Sequence, residues 1–342
     1  MNNSILNFQS ACPFYINVLL LLFLLIIISF KPAFPVEEET VERAQYHMGT
    51  HAGVLIRGGT NDDADAAFSR IGELDGKLSD YKPDSEISKI SRMAGIEPVR
   101  VSGDTRDVLE IALSVAEDTG GAFDPTIGAL TIGVYRFGRE DGPPPEDRDI
   151  EKARALVDYR MLKIDGDRVY LEKEGMMLDL GGIGKGFAVE EAVKVLKSRG
   201  VKKGIVSLSG DIKVFGNDIE IGIKNPEEEG IIASFRTGTD DLAISTSGGY
   251  ERIIDPGGKA YHHLIVSETG KPGREFLSMT VVLRGNSALV DAYATSLYVM
   301  GKDKAFQFLK DHPEIGVFAV LQNGDVYYNE AFAGIVHSLN VP

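Results

Sequence analysis

The sequence predicts an α+β fold, most simply one domain of about 300 residues that follows an apolar N-terminal segment. Segments with helical periodicity alternate with short apolar segments that are typical of strands, and no internal repeat is present. Of the 342 residues, 43% are hydrophobic and 25% are charged, which is the composition of an ordinary globular protein. Collagen-like, coiled-coil and wholly disordered chains are therefore excluded.

The first predicted element is the apolar N-terminal segment, since residues 1–30 carry no charged side chain. Residues 14–30 are 17 in number, at the short end of the roughly 17–25 that span a bilayer and slightly long for a signal-peptide core. Residues 31–35 offer no convincing cleavage site, which favours a retained anchor, and a buried soluble helix would rarely run so far without a polar face. We expect residues 1–36 to be a signal or anchor segment with a short linker. Residues 37–342 would then form a domain outside the cytoplasmic membrane.

Five helices follow, each predicted from apolar residues at helical spacing. The first is preceded by Asn61 and Asp62 as capping residues and has on one face Ala64, Ala67, Phe68, Ile71, Leu74 and Leu78. The second covers residues 105–119 and ends at Gly120. The last three cover residues 187–199 before Gly200, residues 287–300 before Gly301, and residues 302–310 before Pro313.

Short apolar segments predict the strands. These segments are residues 53–57, 204–208, 219–223, 231–235, 242–245, 279–283, 315–321 and 326–328. Asn323 and Gly324 lie between the last two and predict a type I′ hairpin turn. Residues 138–149 contain consecutive prolines among charged residues, which predicts an exposed loop rather than a domain boundary.

Charge and cysteine content exclude further classes of function. The chain has 36 Lys and Arg against 51 Asp and Glu, a formal net charge of −15. Such a surface repels phosphate backbones, and no basic patch longer than Lys202 and Lys203 offsets it, so no nucleic-acid partner is expected. The single cysteine, Cys12, excludes an internal disulfide and Cys-rich zinc sites.

The most distinctive local pattern is the glycine segment, residues 181–186, in which Gly181, Gly182, Gly184 and Gly186 precede the third helix. Glycines at a helix N-terminus allow backbone N–H groups to face a phosphate. The spacing fits neither a Walker loop nor the dinucleotide-binding pattern. A phosphate site and a merely tight strand-to-helix turn are therefore equally compatible with this segment.

Asp291 and Thr295 lie four residues apart on the fourth helix, so that their side chains share one face. Hard oxygen donors at this separation suit Mg²⁺ beside substrate phosphates. The alternative is structural: Asp291 would complement the helix dipole, and Thr295 would bond back to the helix.

His262 and His263 are adjacent, and neighbouring residues of a strand point to opposite faces, so at most one imidazole faces a given site. Four other polar segments could equally be caps and turns. They are residues 48–50, 78–88, 121–128 and 245–248.

Taken together and in this order, these segments resemble the FAD:protein FMN transferase family, the ApbE-type flavin transferases. The resemblance runs from about Tyr46 to beyond Gly301 and rests on seven collinear segments. These segments are residues 48–50 (MGT), 78–88 (LSDYKPDSEIS), 122–126 (AFDPT), 179–186 (DLGGIGKG), 245–248 (STSG), 261–263 (YHH) and 291–295 (DAYAT).

The resemblance implies a mixed α+β, T-fold-like domain that holds FAD in a cleft, with Mg²⁺ on the pyrophosphate. It further implies transfer of FMN to a Thr or Ser hydroxyl of a partner protein, with release of AMP. The implied metal ligands are Asp291, Thr295, a main-chain oxygen at Gly182 and the carbonyl of Ala294. The implied FAD contacts are Met48, Tyr81, Ala122, Phe123, Asp124, Asp179, Lys185 and Leu264. His263 is the candidate base for the incoming hydroxyl, because an imidazole titrates near neutral pH.

Two positions depart from the family pattern. Val266 and Ser267 stand where the family usually has an Asp-Pro pair, which here occurs earlier as Asp255 and Pro256, and Ser91 replaces an Asn. Two alternatives to the transferase therefore stay open, an FAD pyrophosphatase that gives FMN and AMP and a non-catalytic FAD-binding protein. The expected acceptor is a subunit of a membrane or exported redox complex. The expected location is the cytoplasmic (inner) membrane, with the catalytic domain on the periplasmic side.

Overall fold

An eight-stranded antiparallel sheet lies at the centre of the structure. The computed structural model describes residues 39–138, 145–216, 218–250, 253–254 and 261–341, and residues from Glu39 onward form one compact unit. The predicted signal or anchor, residues 1–36, lies outside the described residues. Within the described ranges, no helix has the length and apolar character needed to cross a membrane.

The central strands, in the order in which they lie across the sheet, are β1 (Thr40–His47), β2 (Thr50–Arg57), β6 (Lys203–Leu208), β7 (Asp211–Phe215), β10 (Leu242–Gly248), β15 (Phe276–Leu283), β16 (Gly316–Leu321) and β17 (Val326–Tyr328). Two smaller sheets have three strands each. They consist of β3 (Val99–Arg100), β5 (Arg168–Leu171) and β4 (Leu162–Asp165), and of β18 (His337–Asn340), β9 (Ile231–Arg236) and β8 (Glu220–Lys224). Two strand pairs complete the set: β11 (Ile253–Ile254) with β12 (Tyr261–His262), and β13 (Ile265–Val266) with β14 (Lys271–Pro272).

The helices are α1 (Asn61–Leu78), α2 (Glu86–Arg92), α3 (Gly103–Asp118), α4 (Gly128–Thr131), α5 (Asp147–Arg154), α6 (Gly184–Ser198), α7 (Ser287–Met300), α8 (Lys302–Asp311) and α9 (Glu330–Ile335). A short 3₁₀ helix spans Tyr159–Met161. Every predicted strand overlaps a strand of the structure, and α7 has the predicted bounds. Helices α3 and α6 are followed by Gly120 and Gly200, whose φ of 59° and 90° confirm the predicted stops.

Both faces of the central sheet are covered, as β16 shows. Val317 and Ala319 pack in the cluster that contains α7 and α8, whereas Phe318 and Val320 pack with residues of β8, β9 and α9. Alternate residues of a strand face opposite sides of a sheet, so both sides of β16 are buried. This explains why residues 315–321 form a continuous apolar run rather than an alternating pattern.

The first helix confirms the predicted apolar face but corrects its cap. All six residues predicted on that face are buried. The capping residue is Thr60, whose Oγ1 accepts from the N–H of Asp63, while an oxygen of Asp63 accepts from the N–H of Thr60 at 2.8 Å. Asn61 and Asp62, the predicted caps, are already helical. This reciprocal capping box satisfies two N–H groups at once, which is why the helix begins at Asn61 with Thr60 as its cap.

The hairpin between β16 and β17 is not the predicted type I′ turn. That turn requires positive φ at both Asn323 and Gly324, but of the two only Gly324 has one, at 85°. The N–H of Gly324 bonds to the carbonyl of Leu321, and the N–H of Leu321 bonds to the carbonyl of Asp325. The geometry is a type I turn followed by a left-handed glycine. In the predicted loop of residues 138–149, α5 already begins at Asp147, and residues 139–144 lie outside the described residues.

Candidate active site

A cavity of about 700 Å³ brings together the residues that the sequence selected, and its volume is in the range typical of small-molecule sites. All predicted site residues line it except Ala294, which is fully buried in α7. The lining residues come from the β1–β2 turn, the segment after α1, the segment between α3 and α4, the glycine segment, β10, the segment around β13, and α7. Residues distant in the sequence therefore meet in one site.

Hydrogen bonds to protein acceptors hold the glycine segment in place. The N–H of Gly181 donates to Asp179 Oδ1 at 2.7 Å, and Thr131 Oγ1 donates to Asp179 Oδ2 at 2.5 Å. The N–H of Gly184 bonds to the carbonyl of Leu180, and the N–H of Gly186 donates to Asp291 Oδ2 at 3.0 Å. Three of the four glycine amides thus have protein acceptors. Of the two alternatives that the sequence left open, these bonds favour the tight strand-to-helix turn for these three amides.

Close approach of α7 gives these glycines a different role. A Cβ atom on Gly182 would lie 2.7 Å from Thr295 Oγ1, and one on Gly186 would lie 2.4 Å from the carbonyl oxygen of Ser287. Real Cβ atoms do not come this close to other heavy atoms. The glycines therefore let the N-terminus of α6 lie directly against the face of α7 that carries Asp291 and Thr295.

Asp291 and Thr295 face this junction, as their four-residue spacing predicts. Asp291 is only 2% exposed, and its Oδ2 lies 3.0 Å from the N–H of Gly186 and 3.8 Å from Lys185 Nζ. It is the fifth residue of α7, beyond the first turn, so it closes the N-terminus of α6 rather than complementing its own helix. Thr295 Oγ1 lies 3.3 Å from Ser247 Oγ.

The donor atoms at this junction fit Mg²⁺. They are one carboxylate, the hydroxyl of Thr295 and the main chain at Gly182, all hard oxygens on adjacent elements. In the part of the chain that the structure describes, no group of three His, Cys, Asp or Glu side chains could hold a metal ion. A site with one carboxylate suits Mg²⁺, which keeps several waters and is often bound together with substrate phosphates. The contribution of the Ala294 carbonyl stays a prediction.

Lys185 is paired with a residue that the sequence analysis did not select. Its ammonium group bonds to Asp211 Oδ2, and Asp211 Oδ1 accepts from Ser245 Oγ at 2.6 Å. Asp211 is 2% exposed and lies behind Lys185, outside the cavity lining. Asp211 and Lys213 occupy alternate positions of β7 and are both buried. Two charged residues on one face of a short strand are the signal that could have identified them.

The two adjacent histidines have different surroundings, and β12 ends at His262, so that His263 follows the strand. His263 lines the cavity. His262 is turned away, with Nε2 bonded to the carbonyl of Gly273 at 2.6 Å and its ring edge-on to Tyr298. Burial lowers the pKa of His262, which favours the neutral ring. Of the two imidazoles, His263 is therefore the one that lines the cavity.

The mouth of the cavity is formed by a strained turn and two exposed aromatic rings. Met48 has a φ of 49° and Gly49 a φ of 73°, the left-handed pair that a two-residue hairpin turn requires. Met48 is not a glycine, so its conformation carries strain, as often occurs at functional sites. Tyr46 is 67% exposed, and Tyr81, at 46%, donates its hydroxyl to the carbonyl of Phe137 at 3.0 Å. These rings offer flat surfaces on which a planar ligand could stack.

Asp124 shapes the wall of the cavity. Its carboxylate accepts from the N–H and Oγ1 of Thr126 at 2.8 and 2.6 Å and from the N–H of Tyr159 at 2.9 Å. Burial raises the pKa of Asp124, and these hydrogen bonds oppose the shift. The carboxylate therefore holds the turn that presents Ala122 and Phe123 to the cavity, beside Leu264.

The two departures from the family pattern have local roles. Ser267 donates its hydroxyl to the carbonyl of Gly121 at 3.0 Å and so ties the β13–β14 turn to the wall segment. Ser91 donates to the carbonyl of Ile87 and accepts from the N–H of Leu178, both at 3.0 Å, which links α2 to the residues before the glycine segment. Asp255 and Pro256 lie outside the described residues.

The chain is similar in sequence to a known protein family and to named members of it. The model of the ApbE family matches residues 48–319. A Treponema pallidum protein named FAD:protein FMN transferase is 29% identical over 294 residues, covering 80% of each chain. A Vibrio cholerae protein of the same name is 28% identical over 260 residues, covering 74% of this chain and 77% of its own.

Solved structures have the same fold. The ApbE protein from Thermotoga maritima superimposes with a TM-score of 0.80 at 28% identity, covering 87% of this chain and 99% of its own. The flavin transferase ApbE from Vibrio cholerae gives a TM-score of 0.76 at 25% identity, with the same coverage. The mixed α and β architecture predicted from the sequence is confirmed.

Proposed function

Because the chain belongs to the ApbE family, we propose that it is an FAD:protein FMN transferase that moves FMN from FAD to a Thr or Ser hydroxyl of an acceptor protein. Relatives that carry this name align with most of the chain. The observation that carries the proposal is the junction of α6 and α7, where Asp291, Thr295 and Lys185 meet at one cavity. A carboxylate, a hydroxyl and an ammonium group around one point suit a pyrophosphate and its cation.

The reaction requires alignment and charge neutralisation more than covalent help from the protein. The acceptor oxygen attacks the phosphorus atom on the FMN side of FAD. A new P–O bond forms, the bond to the bridging oxygen breaks, and AMP leaves with that oxygen. Asp291, Thr295 and the main chain at Gly182 would hold Mg²⁺, which when bound neutralises charge on the pyrophosphate. Lys185, which also lines the cavity, would bind a phosphate oxygen.

His263 is proposed to take the proton of the acceptor hydroxyl. A neutral imidazole at the cavity can act as a general base near neutral pH. His262 cannot share this role, because its Nε2 is bonded to the carbonyl of Gly273 and its ring is turned toward Tyr298. Met48, Tyr46 and Tyr81 at the mouth, together with the apolar wall around Ala122 and Leu264, would bind the flat rings of FAD.

The test is incubation of the full chain, in detergent, with FAD, Mg²⁺ and a candidate acceptor protein. We expect an FMN-sized mass on the acceptor and one AMP for each acceptor modified. Asp291→Asn should abolish both products, whereas Asp118→Asn, which changes the same chemical group outside the cavity, should keep them. AMP release without acceptor would indicate an FAD pyrophosphatase, and FAD binding with no AMP would indicate a non-catalytic binding protein. Either result would refute the transferase.

We also propose that residues 1–36 anchor the chain in the cytoplasmic membrane with the catalytic domain on the outer, periplasmic side, where the acceptor would be a subunit of a membrane or exported redox complex. The proposal is supported by the uncharged first 30 residues. N-terminal sequencing of membrane and soluble fractions tests it. An intact N-terminus in the membrane fraction is expected, and a mature chain that starts after residue 30 in the soluble fraction would contradict the anchor.

A further inference from the structure

Lys185 lies between two buried carboxylates. Its ammonium group is hydrogen-bonded to Asp211 Oδ2 and forms a longer ion pair, at 3.8 Å, with Asp291 Oδ2. Asp211 and Asp291 are each 2% exposed, and the side chain of Lys185 is 18% exposed. One cation thus stands close to the only carboxylate among the three residues proposed to hold the metal ion.

This arrangement creates a competition. The ammonium group of Lys185 and a divalent cation would both bind the carboxylate oxygens of Asp291. The lysine is already attached to the chain beside that carboxylate, so it would bind without the loss of translational entropy that a free cation incurs. A divalent cation therefore binds Asp291 more tightly when the ammonium group is hydrogen-bonded to a different acceptor. The structure contains a group in the right place to do so, which is the carboxylate of Asp211.

We propose that Asp211 is a positioning residue that keeps the ammonium group of Lys185 beyond hydrogen-bond distance of Asp291 and so strengthens the binding of a divalent cation by Asp291. This inference rests on the metal site of the proposed function. Asp211 does not reach the cavity, so it acts through Lys185 alone. The same ammonium group stays close enough to the cavity to bind an anionic oxygen of a substrate.

The surroundings of Asp211 suit this task. It is the first residue of β7 in the middle of the central sheet, and Ser245 on the neighbouring strand β10 donates to its second oxygen at 2.6 Å. The carboxylate is therefore fixed on a rigid element. Asp291 is fixed as well, through the N–H of Gly186. Lys185 has the longest and most flexible of the three charged side chains, so we expect its ammonium group to move when Asp211 is replaced.

The test measures metal binding without FAD. Mn²⁺ is titrated into the full chain, free Mn²⁺ is followed by electron paramagnetic resonance, and Mg²⁺ is added as competitor. We expect Asp211→Asn to weaken Mn²⁺ binding by at least about tenfold, because Lys185 then pairs with Asp291. In the double variant Asp211→Asn with Lys185→Met, binding should return to within about threefold of the unmodified chain.

Controls separate this role from a loss of structure. Lys185→Met alone should bind Mn²⁺ at least as tightly as the unmodified chain. Asp104→Asn removes the same charge from an ion-pair cluster with Arg70 and Lys77 that does not line the cavity, so its affinity should not change. Ser245→Ala, which removes a hydrogen bond but no charge, should have a smaller effect than Asp211→Asn.

Several outcomes would overturn the inference. One is unchanged Mn²⁺ binding in Asp211→Asn, and another is binding in the double variant that is as weak as in Asp211→Asn. A third is weaker Mn²⁺ binding in Lys185→Met, which would refute the inference even if Asp211→Asn does not fold. If the unmodified chain binds Mn²⁺ and Asp211→Asn binds it equally well, only the role of Asp211 fails. If the unmodified chain binds no Mn²⁺, the metal site of the proposed function fails and the inference fails with it.

Discussion

Replacement of Gly186 by Ala tests the close contact between α6 and α7 directly. The added Cβ would lie 2.4 Å from the carbonyl oxygen of Ser287 and 2.7 Å from Cβ of Asp291. Carbon and oxygen atoms that are not bonded approach to about 3.3–3.6 Å, so one helix must move by roughly 1 Å. The obstacles are backbone and a Cβ atom, which cannot turn aside as a flexible side chain could.

The expected cost of this movement can be estimated in stability and in activity. Overpacking of this kind costs about 1–3 kcal/mol, which lowers the midpoint of thermal unfolding by roughly 2–10 °C in a domain of this size. A displacement of about 1 Å in a catalytic arrangement can lower the rate by about 10²-fold. The hydrogen bond from Gly186 to Asp291 would be lost with the same movement.

The measurements are calorimetry and the rate of FMN transfer to the acceptor. Gly76→Ala is the matched control, because a Cβ on this glycine of α1 meets nothing within 4 Å. It should stabilise the helix by about 0.4–1 kcal/mol and leave the rate unchanged. If Gly186→Ala unfolds at the same temperature as the unmodified chain and keeps its rate, the steric explanation for the glycine segment is refuted.

Three further predictions concern single groups. His263→Ala should lower the rate of FMN transfer by about 10²–10⁴-fold while FAD affinity, measured by fluorescence, stays close to its original value, and a full rate would remove His263 as the base. Thr60→Ala should cost about 1 kcal/mol in the free energy of unfolding measured with urea, and an unchanged midpoint would contradict the capping box with Asp63. The hydrogen bond from Arg70 lowers the pKa of Asp104 to about 2. A lowered carboxyl pKa stabilises the fold above the unfolded value of about 3.9, so stability should fall between about pH 4 and pH 2. Asp104→Asn should show a smaller fall over that interval, and an equal slope would contradict the pairing.

The elements that the sequence predicted best are those whose signal is local. The apolar face of α1 and the bounds of α7 follow from spacing along a single helix and from a terminal glycine, Gly301. His263 lines the cavity and His262 does not, which agrees with the expectation that at most one of two adjacent imidazoles faces a given site. The predicted site residues other than Ala294 line one cavity. They were predicted from the types and order of residues in the family pattern, which carry information that composition does not contain.

What the sequence left open, missed or predicted wrongly depended on residues distant in the sequence. Glycines at a helix start fit both a phosphate cradle and a close helix contact, and only the position of α7, about a hundred residues later, decides between them. Asn323 and Gly324 fit two hairpin turns, and the register of β16 with β17 selects one. Asp211 belongs to no motif, so its role becomes visible only when Lys185 and Ser245 are placed around it.

The order of strands in the central sheet has a consequence for folding kinetics. The site takes residues from Tyr46 in β1 through to Val299 in α7, and within the sheet β2 pairs with β6, so that Arg57 lies opposite Lys203. Strand pairs between residues far apart in the sequence form late in folding, because a long loop must be closed first, and chains of such topology fold slowly. A chain interrupted before α7 lacks Asp291 and Thr295 and has no site, however much of the sheet has formed. Recovery of FAD binding after dilution from denaturant should therefore follow the slowest folding phase, which makes the ligand itself a reporter of complete folding.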